Sequence, residues 1–179
     1  MNATKNLVLC ALFAALTAIG TYIKIPTPLL PLTLQTLFVV LSGLVLGHKY
    51  GAVSVCVYVI AGLSGLPVFT GSAANPTFGY ILGFIPGAWI AGVIAERYRP
   101  CFMTWFTGAV IGIAVIYAIG IPYYYFMSKW YIGSELGAKT LLVSFVLMPM
   151  PGDIAKSFAA GFIVQRLSVF FPNSFTWKR

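Results

Sequence analysis

The chain is predicted to be an all-α integral membrane protein, on three features of its sequence. Of its 179 residues, 60% are hydrophobic and 8% charged, against roughly 25% charged residues in an average soluble domain. Mean hydropathy is +0.94. The apolar residues also gather into several runs that approach the ~20 residues needed to cross a ~30 Å hydrocarbon core. A transmembrane barrel would show short alternating segments instead. We count six helices in a single membrane domain over residues 1–179.

Helix 1 is expected from about Leu7 to Ile23. Lys5 followed by an apolar run has the look of a secretory leader, but the run continues to Ile23 with no soluble domain behind it, so it reads as a retained helix. It stops at KIPTPLLPLT, where three prolines in six positions forbid a helix. Helix 2 follows from about Leu34 to Leu46, short for a full crossing, and Gly47, His48 and Lys49 form a turn. Helix 3 covers about Tyr50 to Leu66, after which SGLPVFTGSAANPTFG is a long uncharged loop. Helix 4 spans about Phe78 to Ala95 and ends in ERYRP. Helix 5 runs from about Phe102 to Met127, with Pro122 as a kink site. After the polar SKWYIGSELGAK, Pro151 opens helix 6, where its missing N–H costs nothing, and the helix runs to about Phe170.

Orientation follows from the basic residues. With both termini in the cytoplasm, that side receives Lys5, Lys49, Arg97, Arg99, Arg166, Lys178 and Arg179, seven of the eleven. Lys24, Lys129, Lys139 and Lys156 fall outside. The net charge of +8 is thereby accounted for by topology, and nucleic acid is not called for as a partner. Three unusual loops then lie on the outer side: IPTPLLPLTLQT, the segment through GSAANPTFGY, and the approach to PGDIAK. Irregular backbone at membrane depth survives only if protein covers it or it lines a cavity, so the three predict an outward-opening pocket.

Asp153 is the chain's one aspartate, and Lys156 follows it at i+3 on the same helical face. Ionisable groups beside apolar membrane are costly, which makes the pair a candidate site. The plainer reading has Asp153 capping helix 6 at the positive end of its dipole while Lys156 snorkels to the interface. A cap alone does not call for a lysine one turn deeper. In Asn75-Pro76-Thr77-Phe78-Gly79-Tyr80, an amide, a hydroxyl, two rings and a glycine that admits close ligand approach come together; a capped helix start with Tyr80 at the interface explains the same residues equally well. Thr33, Gln35 and Thr36 begin helix 2, and capping accounts for the threonines better than for Gln35. Ala11, Ala14, Ala15 and Ala18 form a small-residue stripe on helix 1 suited to close helix packing, inside the bundle or against a partner.

There is no GxxxxGK[ST] loop for ATP hydrolysis. Cys10, Cys56 and Cys101 have no paired spacing, and His48 stands alone, so no metal site, disulfide or cofactor is expected. One aspartate does not make an aspartyl protease pair, and no nucleophile with a base is visible, so the chain does not read as an enzyme.

AALTAIGTYIKIPTPLLPLTLQTLFVVLSGLVLG, GLSGLPVFTG, PTFGYILGF and PGDIAK, in that order across about Ala11 to Phe158, resemble the BioY family, the biotin-specific S-components of energy-coupling factor (ECF) transporters. The resemblance implies a six-helix S-component in the cell membrane that captures biotin from outside. Delivery would need a membrane T-component and two ABC-type ATPases. It further implies ligand contacts at Asn75, Gly79, Tyr80, Asp153 and Lys156, with Gln35, Thr77 and Phe78 as neighbours, a lid in the first loop, and an AxxxA-type docking face at Ala11/Ala15 with Ala14/Ala18 as the adjacent register. Biotin's ureido ring suits this set: a carboxylate such as Asp153 accepts from its two N–H groups while Lys156 or Asn75 donates to its carbonyl. Its carboxylate tail has no outer arginine to meet, which leaves Lys156, Lys24 or a backbone amide. An S-component for another small vitamin, or a structural membrane protein whose Asp153/Lys156 pair locks helix packing, are the competing expectations.

Overall fold

A computed structural model describes residues 3–25, 31–69, 75–133, 137, 140 and 143–170. Five α-helices carry the fold among them: α1 (Ala3–Tyr22), α2 (Gln35–Leu63), α3 (Phe78–Arg97), α4 (Phe102–Met127) and α5 (Met150–Phe170). Four stretches, Thr4–Tyr22, Gln35–Leu63, Phe78–Arg97 and Phe102–Tyr131, are long and apolar enough to cross a membrane. Short π-helical segments follow α4 at Ser128–Ile132 and precede α5 at Val143–Leu147.

The expected turn at Gly47 is present inside α2. Gly47 has φ 81° and ψ 175°, a non-helical conformation that separates two helical arms, and φ in that range is open to glycine without a Cβ penalty. The arms fold back on each other: Ser42 Oγ donates to Gly51 O at 3.4 Å, and a Cβ on Gly51 would lie 2.6 Å from Gly43 Cα. The second arm ends earlier than expected, at Leu63, because Gly65 (φ 91°) completes a Schellman cap in which Gly65 N donates to Gly62 O and Leu66 N to Ala61 O.

The proline-rich loop is held at its ends by two two-residue strands, β1 (Lys24–Ile25) and β2 (Leu32–Thr33), paired antiparallel with Lys24 opposite Thr33. This small ladder is absent from the all-helical expectation; residues 26–30 between the strands lie outside the described residues. So do residues 70–74 of the second loop and Lys139, Lys178 and Arg179 of the charge argument. Helix α5 begins at Met150, so Pro151 is its second residue, still within the first turn where a missing donor is harmless.

Two apolar clusters fill the bundle. One joins Leu41, Leu44, Ala91, Trp105, Ile113 and Val164. The other joins Val55, Tyr58, Tyr80, Phe84, Ile116 and Phe145. Large apolar side chains also face outward, among them Val8, Ile60, Met103, Phe158 and Phe162. In water such coverage marks an interaction surface; around a helical bundle of this hydropathy it is the face turned to lipid.

The helix 1 stripe is divided. Ala14 is buried and Ala18 packs partly buried against the second cluster, whereas Ala11 and Ala15 are exposed. The first pair is internal packing, and the second lies open among Val8, Leu12 and Ile19.

Candidate functional site

The C-terminal end of α1 and the N-terminal ends of α2, α3 and α5 meet at one end of the bundle. Their side chains surround a cavity with an empty volume of about 730 Å³ including its open mouth. Seven of the eight expected ligand residues line it: Gln35, Asn75, Thr77, Phe78, Tyr80, Asp153 and Lys156. They come from three regions of the chain separated by 40 residues or more.

Gly79 is the exception. It is buried with its Cα against Tyr123 of α4, where any Cβ would collide with that side chain, and it is not part of the cavity wall. Its missing side chain serves the approach of α3 to α4, which corrects the expectation that it admits a ligand to the backbone.

One wall is ionic. Lys156 Nζ lies 2.5 Å from Asp153 Oδ1, with side chains 11% and 7% exposed. Asp153 Oδ2 accepts a hydrogen bond from Tyr117 Oη of α4. Lys156 donates also to Thr33 O at 3.1 Å and Thr36 Oγ1 at 2.7 Å, so three acceptors meet its three N–H donors. Asp153 does lie in the first turn of α5, at the positive end of its dipole, but the rest of the capping account of this corner fails. Asp153 sits inside the first turn of α5 with its carboxylate directed at side chains, Lys156 reaches inward instead of snorkelling, and Leu34, with no side-chain bond, is the N-cap of α2. Burial of the pair is tolerable because each charge is met by its opposite and by further hydrogen bonds.

The facing wall is neutral. Gln35 Nε2 donates to Tyr58 Oη at 2.5 Å; Tyr58 Oη in turn donates to Val68 O at 3.2 Å and lies 3.4 Å from Thr21 Oγ1. A chain of hydrogen bonds thus connects α1, both arms of α2 and the loop beyond it. At the start of α3, Asn75 Oδ1 accepts from Thr77 N at 3.1 Å and Thr77 Oγ1 at 3.0 Å. This Asx turn occupies the amide oxygen and leaves the NH₂ as the group that Asn75 can offer to a ligand. Between the two walls stand Phe78, Phe84 and Tyr80. The Tyr80 ring stacks on Phe145 at 6.4 Å, and its hydroxyl is buried without a hydrogen-bond partner among the described residues.

Sequence reasoning missed Thr21, Tyr58 and Tyr117. The two tyrosines are the signal that was there: a phenol in the middle of an apolar helix brings a hydroxyl that must find a partner when buried. Among the described residues no three His, Cys, Asp or Glu side chains come together as a metal site would require.

The family model described as "BioY family" matches residues 1–173 of the chain. A protein of Lysinibacillus sphaericus described as a probable biotin transporter BioY is 39% identical over 180 residues, covering 97% of this chain and 91% of that protein. The biotin transporter BioY of Thermotoga maritima is 38% identical over 169 residues, covering 91% and 95%. Among solved structures, the S-component for biotin from an ECF-type ABC transporter superposes with a TM-score of 0.79 at 25% identity, over 94% of this chain and 95% of that one.

Proposed function

The chain belongs to the BioY family, and from that premise we propose that it is the biotin-binding S-component of an ECF-type transporter. It is a multi-pass membrane protein and a transport component rather than an enzyme. In the finer reading, six helices cross the membrane, the two arms of α2 counting separately, both termini are cytoplasmic and the cavity opens outward. ATP hydrolysis falls to two ABC-type ATPases joined through a membrane T-component, and the exposed Ala11/Ala15 face is where that partner docks. No cofactor is required; biotin is the cargo.

The observation that carries the ligand assignment is the buried Asp153–Lys156 pair on the cavity wall. Asp153 accepts from a ureido N–H group, and Asn75 or Lys156 donates to the ureido carbonyl. Because three acceptors already meet Lys156, a ligand that takes one of its protons must displace Thr33 O or Thr36 Oγ1. The NH₂ of Asn75 carries no such cost. Phe78, Tyr80 and Phe84 supply the apolar contact for the fused ring. Gly79 contributes only spacing.

Mass spectrometry of small molecules released from purified, denatured protein tests the assignment, with biotin as the expected species. Equilibrium binding of labelled biotin in competition with thiamine and riboflavin separates biotin from other vitamins. Displacement by either competitor at concentrations comparable to unlabelled biotin would overturn the assignment.

A further inference from the structure

Tyr117 contributes a hydroxyl that the ligand assignment leaves without a role. It lies within α4, a helix that carries no charged residue, and its partner Asp153 is 36 residues further on in α5. The ring is held edge-on against Tyr80, centroids 5.8 Å apart, so the hydroxyl is presented from a packed aromatic pair. Tyr117 and Asp153 both line the cavity.

The division of the carboxylate is the informative feature. Lys156 takes Oδ1 and Tyr117 takes Oδ2, one protein donor on each oxygen. An ionised carboxylate offers about four lone-pair positions, so one acceptor position remains on each oxygen. One such position is what a single N–H donor of a cyclic urea needs; the two N–H bonds of that ring diverge on either side of its carbonyl, so one carboxylate meets one of them. With Tyr117 absent, rotation of the carboxylate toward Lys156 would spend both oxygens on the lysine.

We propose that Tyr117 is a positioning residue for ligand binding, whose hydroxyl fixes the rotation of the Asp153 carboxylate so that an acceptor position on it stays open to a ligand N–H donor. This rests on the reading of the cavity as a biotin site. It adds to that site a residue that no local motif marks.

A double-mutant cycle read by equilibrium biotin binding to the purified full chain in detergent tests it. Tyr117→Phe keeps the ring and removes the hydroxyl, and should weaken binding about tenfold, the equivalent of ~1.4 kcal/mol. In an Asp153→Asn background, which keeps the shape and lacks the charge, the same substitution should cost less than about threefold, since a bond to a neutral acceptor is worth roughly half of one to a carboxylate. A monodisperse size-exclusion profile for each variant keeps loss of fold apart from loss of affinity. An equal loss in both backgrounds makes Tyr117 a packing residue and overturns the proposal, as does unchanged affinity for Tyr117→Phe. Failure of the wild type to bind biotin would overturn the site assignment and this inference together, whereas the first two outcomes leave the site assignment standing.

Discussion

The two ends of the bundle each hold a close pair of a basic and an acidic side chain, and the pairs differ in what surrounds them. At the cavity end, Asp153 and Lys156 are 7% and 11% exposed and are tied into Tyr117, Thr33 and Thr36. At the other end His48 Nδ1 meets Glu96 Oε2 at 2.5 Å with side chains 29% and 27% exposed, and Glu96 Oε1 also accepts from His48 N at 3.2 Å. The backbone there is closed: a Cβ on Gly92 would collide with the Gly47–His48 peptide. One pair borders empty volume, and the other bolts a tight turn to the end of α3. On the proposed function, the same kind of contact is a recognition element at one end and a fastening at the other, and neighbouring space decides which.

The largest expected effect comes from breaking the cavity pair unevenly. Lys156→Met leaves Asp153 buried and uncompensated, a situation that costs about 3–5 kcal/mol. Thermal unfolding in detergent should show the loss without ligand, and biotin binding should fall with it. Asp153→Asn is milder for the fold, since a neutral amide can still meet Tyr117 and Lys156, yet it removes the ionised acceptor and should cost about 2 kcal/mol of biotin affinity, close to thirtyfold. Exchanging the charges, Asp153→Lys with Lys156→Asp, sharpens the contrast: retained biotin uptake would move this pair into the fastening class.

A smaller effect separates the two registers of α1. Ala14→Leu pushes a larger side chain into the second core cluster and should cost about 1–3 kcal/mol in thermal stability. Ala11→Leu and Ala15→Leu place the same bulk on the exposed face; they should leave stability and biotin affinity unchanged while reducing cellular biotin uptake. Equal destabilisation in both registers would break the division of the stripe.

Much of this was legible in the sequence. Prolines and glycines mark boundaries by backbone geometry alone, so the Phe102–Met127 helix and the Gly47 reversal emerge as expected. Asp153 and Lys156 stand out because charge in an apolar run is costly wherever the run sits. What was hidden depends on contacts between distant helices. Tyr58 and Tyr117 reveal their partners only once α2, α4 and α5 are packed, and Gly79 could face a ligand or a neighbouring helix with the same local sequence. The alanine registers could not be separated because lipid and core are both apolar, so polarity does not mark the outer face of α1 as it would in water.

The smallest expected effect belongs to the closed end, and it tests the comparison from the other side. Glu96→Gln removes the charge of a partly exposed pair while keeping an amide oxygen to accept from His48 N and an NH₂ to donate to an unprotonated ring Nδ1. Pairs of this exposure contribute about 0–1 kcal/mol, so thermal stability should fall by no more than that. Biotin affinity should be the same as wild type, because the Gly47 turn stays packed on Gly92 through backbone contacts that the substitution does not touch. A loss of affinity beyond about threefold, with stability retained, would break the comparison: the closed end would then be coupled to the cavity through α3, whose two ends carry Tyr80 and Glu96.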